Sequence, residues 1–274
     1  VASLLVRNMP IASGSGVQHV EAVDRGALPA APFLLLPVKF FGGLLALGAG
    51  LVLGREGPTV QMGAAFGAAA ARRAKRDSAD IATLQTSLAG AGLAVAFNAP
   101  IGGALFVVEE VTKSFKVRTV LPTMVAVAVA VGCARLIIGD EPDFAVRTLN
   151  APGVQYLPVF IVFGLITGFL GVVYNRLILS LYDRSSSLKK IPNEAKAAFI
   201  GGLIGLALWF DPFSGGGGDA LSQQIVSGHS FAIPMLIAYS IAVIFIVNDI
   251  LNAFQIVNTG SWGAFGIISF LWVK

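Results

Sequence analysis

The chain has 274 residues, 55% of them hydrophobic and only 12% charged, with a mean hydropathy of +0.80. Ordinary globular proteins carry roughly 25% charged residues, so a soluble surface cannot be built from this composition and the chain is read as an integral membrane protein. One cysteine, Cys133, excludes a disulfide framework and a multi-cysteine metal site, and the two histidines, His19 and His229, are too far apart to form a metal-binding pair. The net charge of +4 and the pI of about 9.4 fit basic loops on a membrane protein better than a nucleic-acid surface. The 32 glycines suit close-packed membrane helices.

The first sixteen residues show no initiator Met and no secretory pattern, and the chain stops on the apolar run FGIISFLWVK. It reads as a fragment of a longer protein. Apolar segments at 32–54, 119–138, 156–182, 195–210 and 231–251 are long enough, or nearly so, for a bilayer that needs about 20 residues. Those at 59–71, 81–97 and 100–111 are shorter and interrupted by Gly, Pro, Asn or charges. Such broken segments predict discontinuous or re-entrant helices, which a membrane tolerates only around a protein-lined cavity. The Gly-x-x-x-Gly pairs Gly50/Gly54, Gly63/Gly67, Gly164/Gly168 and Gly201/Gly205 predict close helix contacts.

Loop charge orients these segments. Arg72, Arg73, Lys75 and Arg76, then Lys113, Lys116 and Arg118, then Arg184, Lys189 and Lys190 mark one side as cytoplasmic; Asp140, Glu141 and Asp143 mark the other. Residues 119–138 and 156–182 therefore cross. The stretch from Arg76 to Lys113 begins and ends on the same side, which predicts a dip into the membrane and back, turning at Phe97-Asn98-Ala99-Pro100.

Four constellations could carry chemistry. Gly54-Arg55-Glu56-Gly57-Pro58-Thr59-Val60-Gln61 puts a charged pair before a helix start, where free N–H groups attract an anion or the Glu56 carboxylate itself. It reads either as a gate or as an interfacial Arg55–Glu56 ion pair. Ser13-Gly14-Ser15-Gly16-Val17-Gln18 lets backbone approach a ligand, or is a plain flexible loop. Glu109-Glu110 ends the run Ile101–Val108 as a polar boundary or a proton entry point, and Glu21 is a surface charge or a second proton site. Ser214 followed by four glycines lacks the Lys-Ser/Thr of a P-loop and reads as a link between helices.

Together these residues resemble the CLC family of chloride channels and chloride/proton antiporters. Gly54–Gln61 is similar to the family's GREGPxVQ signature, Leu36–Gly43 to the stretch before it, and Ala96–Pro100 with Phe106–Glu110 to the next block; Gly14–Val17 resembles the start of the GSGIP loop. The likeness covers roughly residues 10 to 245. It implies an all-α polytopic membrane protein of tilted, discontinuous and re-entrant helices in two inverted halves. Residues 1–274 then form one transmembrane domain fragment, the first half plus part of the second.

The implied activity is a voltage-independent or weakly gated chloride/proton antiporter, not an enzyme, working as a homodimer in a lipid bilayer, in a bacterial inner membrane. A passive channel and a non-transporting remnant are the alternatives. By this resemblance Ser15, Gly16, Val17, Glu56 and Gly57 would bind chloride; Glu56 would be the external gate, Glu110 the internal proton-transfer residue and Glu21 a neighbour of the internal proton path. No cofactor or metal is implied. Three departures stand out. Gln18 replaces a frequent Pro, Gly263-Ala264-Phe265 is only a partial echo of the GxFxP block, and the late anion-coordinating Tyr is absent from the sequence.

Overall fold

The computed structural model describes residues 2–51, 53–140, 153–187, 192–210, 216 and 218–227. All regular structure among them is helical. The helices are α1 (Ala2–Asn8), α2 (Val17–Asp24), α3 (Leu35–Gly48), α4 (Glu56–Arg73), α5 (Ser78–Ala96), α6 (Pro100–Phe106), α7 (Val117–Ile138), α8 (Leu157–Ser187), α9 (Asn193–Phe210) and α10 (Asp219–Val226). Two compact units result. One holds residues 2–48 and 55–140; the other holds 49–54 and the described residues from 153 onward.

Among the described residues two helices, 117–138 and 154–173, are long and apolar enough to cross a membrane. The expected span 32–54 is shorter than its apolar run: α3 ends at Gly48, and Gly50 takes a left-handed φ of +79°. Helices α4 and α5 begin before their apolar runs, α4 with Glu56, Gly57 and Pro58 and α5 with Ser78–Asp80, and α4 continues past its run through Arg72 and Arg73, because acid or a cap at a helix start and base at its end suit the helix dipole. The expected span 231–251 lies outside the described residues.

Three helices of the first unit stop in the same way. After α2, α4 and α5 one residue enters the left-handed region: Gly26 (φ +72°), Lys75 (φ +53°) and Asn98 (φ +48°). In each case the next N–H reaches back to the third-last helical carbonyl: Ala27 to Ala22 at 2.8 Å, Arg76 to Ala71 at 3.0 Å and Ala99 to Ala94 at 2.9 Å. These double-bonded ends satisfy carbonyls that a helix terminus leaves open. At the third, Pro100 follows as the first residue of α6, where a missing N–H costs nothing. The α5 start is capped by Asp77, whose carboxylate accepts from the Asp80 N–H at 2.7 Å.

Helices α5 and α6 form the predicted hairpin, turning at Asn98 and Ala99. Its depth is a finding of the tertiary structure. Asp80, at the start of α5, pairs with Arg118 at the start of α7 (3.2 Å). Asn98, at the turn, accepts from Arg135 Nε near the end of α7 (3.1 Å), and Arg135 also pairs with Asp140 at 2.9 Å. So α5 runs alongside α7 for its whole length, about 27 Å at 1.5 Å per residue, and the turn reaches the level of the acidic end of α7. The return leg is short: α6, a π turn at Val107–Val111 marked by Thr112 N–H donating to the Val107 carbonyl (2.9 Å), and a loop to Val117.

Glycines set the spacing of α4 on α5. A Cβ on Gly63 would strike the Leu88 carbonyl, one on Gly67 the Leu84 carbonyl, and one on Gly92 the Thr59 carbonyl. The predicted Gly63/Gly67 contact is therefore backbone on backbone. Gly90 and Gly103 do the same for α5 and α6. Among the described residues, a Cβ on Gly168, Gly201 or Gly205 meets nothing within 4 Å, so the close contact expected there is not seen among them. Around the packed pair lie two apolar clusters. Val20, Val60, Ala64, Ala89, Phe106, Val107 and Val111 join α2, α4, α5, α6 and the π turn. Ala91, Ala94, Ala104, Val127 and Val131 join α5, α6 and α7, and beside them Ser87 and Thr123 share a buried hydrogen bond of 3.1 Å.

The α4–α5 contact generates a stability prediction. Gly92→Ala forces a methyl into the Thr59 carbonyl and is expected to cost about 1–3 kcal/mol, whereas Gly132→Ala, at a position open to 4 Å, is expected to change stability by less than about 0.5 kcal/mol. Thermal unfolding of the two variants in detergent, side by side, checks the difference.

Candidate functional site

The residues expected at the anion site lie where α2 begins. Ala12 ends a short 3-10 turn at Pro10–Ala12, and the chain runs through Ser13 and Gly14 to Ser15, which is buried at 4% exposure. Gly16 caps α2 with φ +83°, a conformation L side chains rarely adopt. Val17 is the first helical residue. The need for glycine at 16 is steric as well: a Cβ there would lie 2.6 Å from Gln61 Cβ.

Two fully buried polar side chains hold this loop from outside it. Lys39 of α3, 2% exposed, donates from Nζ to the Gly14 carbonyl at 2.6 Å. Gln61 of α4, 0% exposed, donates from Nε2 to the Ile11 carbonyl at 2.9 Å. Both bonds consume carbonyl oxygens. The N-terminal end of the α2 dipole adds positive potential beside the loop. The sequence reading missed both anchors as functional residues. A lysine inside the apolar helix Leu35–Gly48 was the available signal, since ionisable groups at membrane depth are rarely idle.

Glu56 stands at the other end of this arrangement. It is the first residue of α4, half-buried, with Gly57 and Pro58 buried behind it in the first turn. The Thr59 hydroxyl donates to the Glu56 carbonyl at 2.8 Å and the Thr59 N–H to the Arg55 carbonyl at 3.1 Å. Arg72 and Arg73 occupy the last turn of α4, so acid and base both complement the helix dipole. Glu56 and Gln61 are five residues apart, about 7.5 Å along the axis. One rigid helix therefore carries both the candidate gate and the anchor of the Ser15 loop.

The two internal carboxylates are placed on neighbouring elements. Glu21 lies on α2 and pairs with Arg25 one turn on, at 3.2 Å. Glu110 lies in the π turn and is exposed, as is Glu109. Val20, beside Glu21, packs with Val107 and Val111 of that turn in the first apolar cluster, which also contains Val60 of α4. Glu21 and Glu110 each adjoin a member of that cluster, Val20 and Val111. A π turn inserts an extra residue into a helix and re-aims the side chains it carries.

Two further groups of α2 have shifted ionisation. His19 donates from Nε2 to the Pro29 carbonyl at 3.2 Å, while its Nδ1 is buried without a partner. Burial lowers its pKa, partly opposed by that hydrogen bond. Burial raises the Asp24 pKa, opposed by the Thr86 hydroxyl and by Arg25 and Lys116. An apolar groove of about 920 Å³ between α4, α5 and α7, lined by Met62, Phe66, Leu88, Val125 and Val129 among others, offers almost no polar atoms and is no place for an anion.

A family model described as "Voltage gated chloride channel" matches residues 1–265. The chain belongs to that family. Among similar proteins, the H(+)/Cl(-) exchange transporter ClcA of Vibrio parahaemolyticus is 37% identical over 243 residues, which are 85% of this chain and 51% of that protein. The ClcA of Vibrio cholerae is 38% identical over 237 residues, 82% of this chain and 49% of that one. The chain spans about half the length of the curated relatives it matches. A crystal structure of a slow cyanobacterial Cl−/H+ antiporter superposes with a TM-score of 0.88 at 27% identity, over 98% of this chain and 65% of that one. A CLC-type fluoride/proton antiporter superposes at 0.77 with 19% identity, over 99% and 70%, and shows the shared fold alone. The all-helical reading and the CLC resemblance hold.

Two predictions follow from the loop and its surroundings. Gln61→Leu removes the donor to the half-buried Ile11 carbonyl, an expected loss of about 1–3 kcal/mol. Amide hydrogen exchange at residues 11–17 should accelerate by at least tenfold, with residues 78–96 unchanged. The folded His19 ring resists a proton that the unfolded chain accepts below about pH 6.5. Its contribution is therefore full above that pH and is lost as the pH falls through it. The thermal midpoint should drop between pH 7 and 5.5, and His19→Gln should shrink the drop.

Proposed function

We propose that the full-length protein is a chloride/proton antiporter of the bacterial inner membrane, acting as a homodimer in the bilayer. The observation that carries the reading is the shared helix: α4 bears Glu56 at its start and, through Gln61, grips the loop of Ser15, Gly16 and Val17. An anion site made of N–H groups and a hydroxyl stabilises chloride without fixing it with a full opposite charge, so the ion can leave. The names of the relatives, H(+)/Cl(-) exchange transporters, support the same activity.

In this scheme the Glu56 carboxylate and chloride are alternative anions at the beginning of α4. Deprotonated, Glu56 occupies the dipole end and excludes chloride. Protonated, it has no charge to compete with, and chloride enters beside Gly57 and continues to Ser15. Each swing of Glu56 then couples one proton movement to anion movement. Glu110, exposed in its π turn, supplies or receives the proton from the cytoplasmic side, and Glu21 lies close to that route on α2. A passive channel on the same fold is the second reading; it has no use for an acid at position 110, and the presence of Glu110 favours the antiporter.

Reconstituted full-length protein, followed by chloride efflux and pH together, separates the two. Glu56→Gln mimics the protonated gate: anion flux should persist while proton coupling disappears. Glu110→Gln should reduce proton movement at least tenfold and leave chloride affinity within about twofold, because the residue is outside the Ser15 loop. Proton pumping that survives in Glu56→Gln removes Glu56 from the mechanism. Loss of chloride affinity in Glu110→Gln moves that residue to the anion site.

A further inference from the structure

The Ser15 loop contains a competitor for its own ligand. The Ser15 hydroxyl donates to the side-chain carbonyl oxygen of Gln18 at 3.0 Å, and the Val17 N–H donates to the Ser15 oxygen at 3.3 Å. Ser15 is buried and Gln18 is exposed. A serine hydroxyl carries one hydrogen. Directed at Gln18, that hydrogen is not available to an anion, and the oxygen then meets the anion with lone pairs. One of the backbone donors assigned to chloride is engaged as well, since Val17 points its N–H at Ser15.

This bond is not part of the helix start. Gly16 stands at the cap of α2, and the Ser15 oxygen takes the Val17 N–H of its first turn whether or not its hydrogen goes to Gln18. The Ser15–Gln18 bond joins two side chains and leaves every backbone group as it was. The fold does not need it: the loop is already held by Lys39 and Gln61 through Gly14 and Ile11. Gln18 is on the surface, so its amide is solvated as soon as it lets go, and the side chain turns without disturbing the core. What the bond does is occupy the single hydroxyl hydrogen of a buried serine with a neutral oxygen tethered three residues away.

Accordingly we propose that Gln18 sets the anion affinity of the Ser15 loop: its amide oxygen competes with chloride for the Ser15 hydroxyl, and the ion binds by displacing it. The inference rests on the reading of Ser15 as a chloride ligand. It identifies Gln18, the residue at which this sequence departs from the family's loop, as a device that weakens chloride binding without altering the site's shape.

The test is calorimetric titration of chloride into the full-length protein, as wild type, Gln18→Ala, Gln18→Asn, Ser15→Ala and the Ser15→Ala/Gln18→Ala double variant. Gel filtration and thermal midpoint serve as folding controls. Losing a neutral hydrogen bond to a competitor is expected to tighten chloride binding about three- to tenfold in Gln18→Ala. Gln18→Asn, one methylene shorter, should do the same because its amide no longer reaches Ser15. Ser15→Ala should weaken binding, and in that background Gln18→Ala should have no effect, since nothing is left to compete for. If Ser15→Ala weakens binding but Gln18→Ala leaves it unchanged or weaker, the competition is wrong and the site stands. Equal tightening with and without Ser15 assigns the effect to the loop in general and also overturns the proposal. Unchanged affinity in Ser15→Ala removes the loop from the chloride site, and both readings go with it.

Discussion

Backbone-to-backbone contact between α4 and α5 is the constraint on which the rest of the first unit depends. Gly63, Gly67 and Gly92 let carbonyl oxygens approach where any side chain would collide. At that separation the alanines Ala64, Ala68, Ala89 and Ala91 are enough to fill the space around the pair. A helix held this closely has little freedom to shift or rotate, because packed interiors resist displacement by even one methylene. Its first residue, Glu56, and its sixth, Gln61, are then fixed relative to each other. In a membrane, where burial of apolar surface between helices gains little over lipid, such packing is the principal source of helix association.

The buried polar groups take their meaning from that frame. Lys39 and Gln61 each spend a donor on a loop carbonyl. Leaving a peptide carbonyl unpaired in a dry interior costs on the order of 1–3 kcal/mol, so these bonds hold the loop in place. Gln61 Oε1 and Gln85 Nε2 remain buried without one. In the proposed scheme chloride meets a hydroxyl and amide dipoles, and protonation of Glu56 or Glu110 removes a negative charge that would otherwise repel it.

The helices α3 to α7 and the turn between α5 and α6 were legible in the sequence because their causes are local, whereas α1 and α2 matched no predicted segment. Asn98 before Ala99-Pro100 is a turn signal that acts within a few residues. Lengths were less legible. The apolar run 32–54 suggested one span, yet α3 stops at Gly48; runs 59–71 and 81–97 underestimated α4 and α5, whose ends are set by capping and by charged residues that suit the dipole and not by hydropathy. The family was legible in Gly54–Gln61, since few other uses require that order of residues.

What the sequence determined by itself is the membrane class, the family, and the presence of a glycine-serine loop and carboxylates in a fixed order along the chain. These follow from composition and from motifs shorter than ten residues. Tertiary structure alone decided three things. The hairpin turn at Asn98 reaches the level of Arg135, because α5 pairs with α7 at both ends. Lys39 and Gln61 meet a loop that lies 25 and 50 residues away in the chain. Ser15 spends its proton on Gln18 and not outward. Each of these is a contact in space between groups whose types are common and whose separation along the chain carries no signal. Only the packed helices bring them within hydrogen-bond reach.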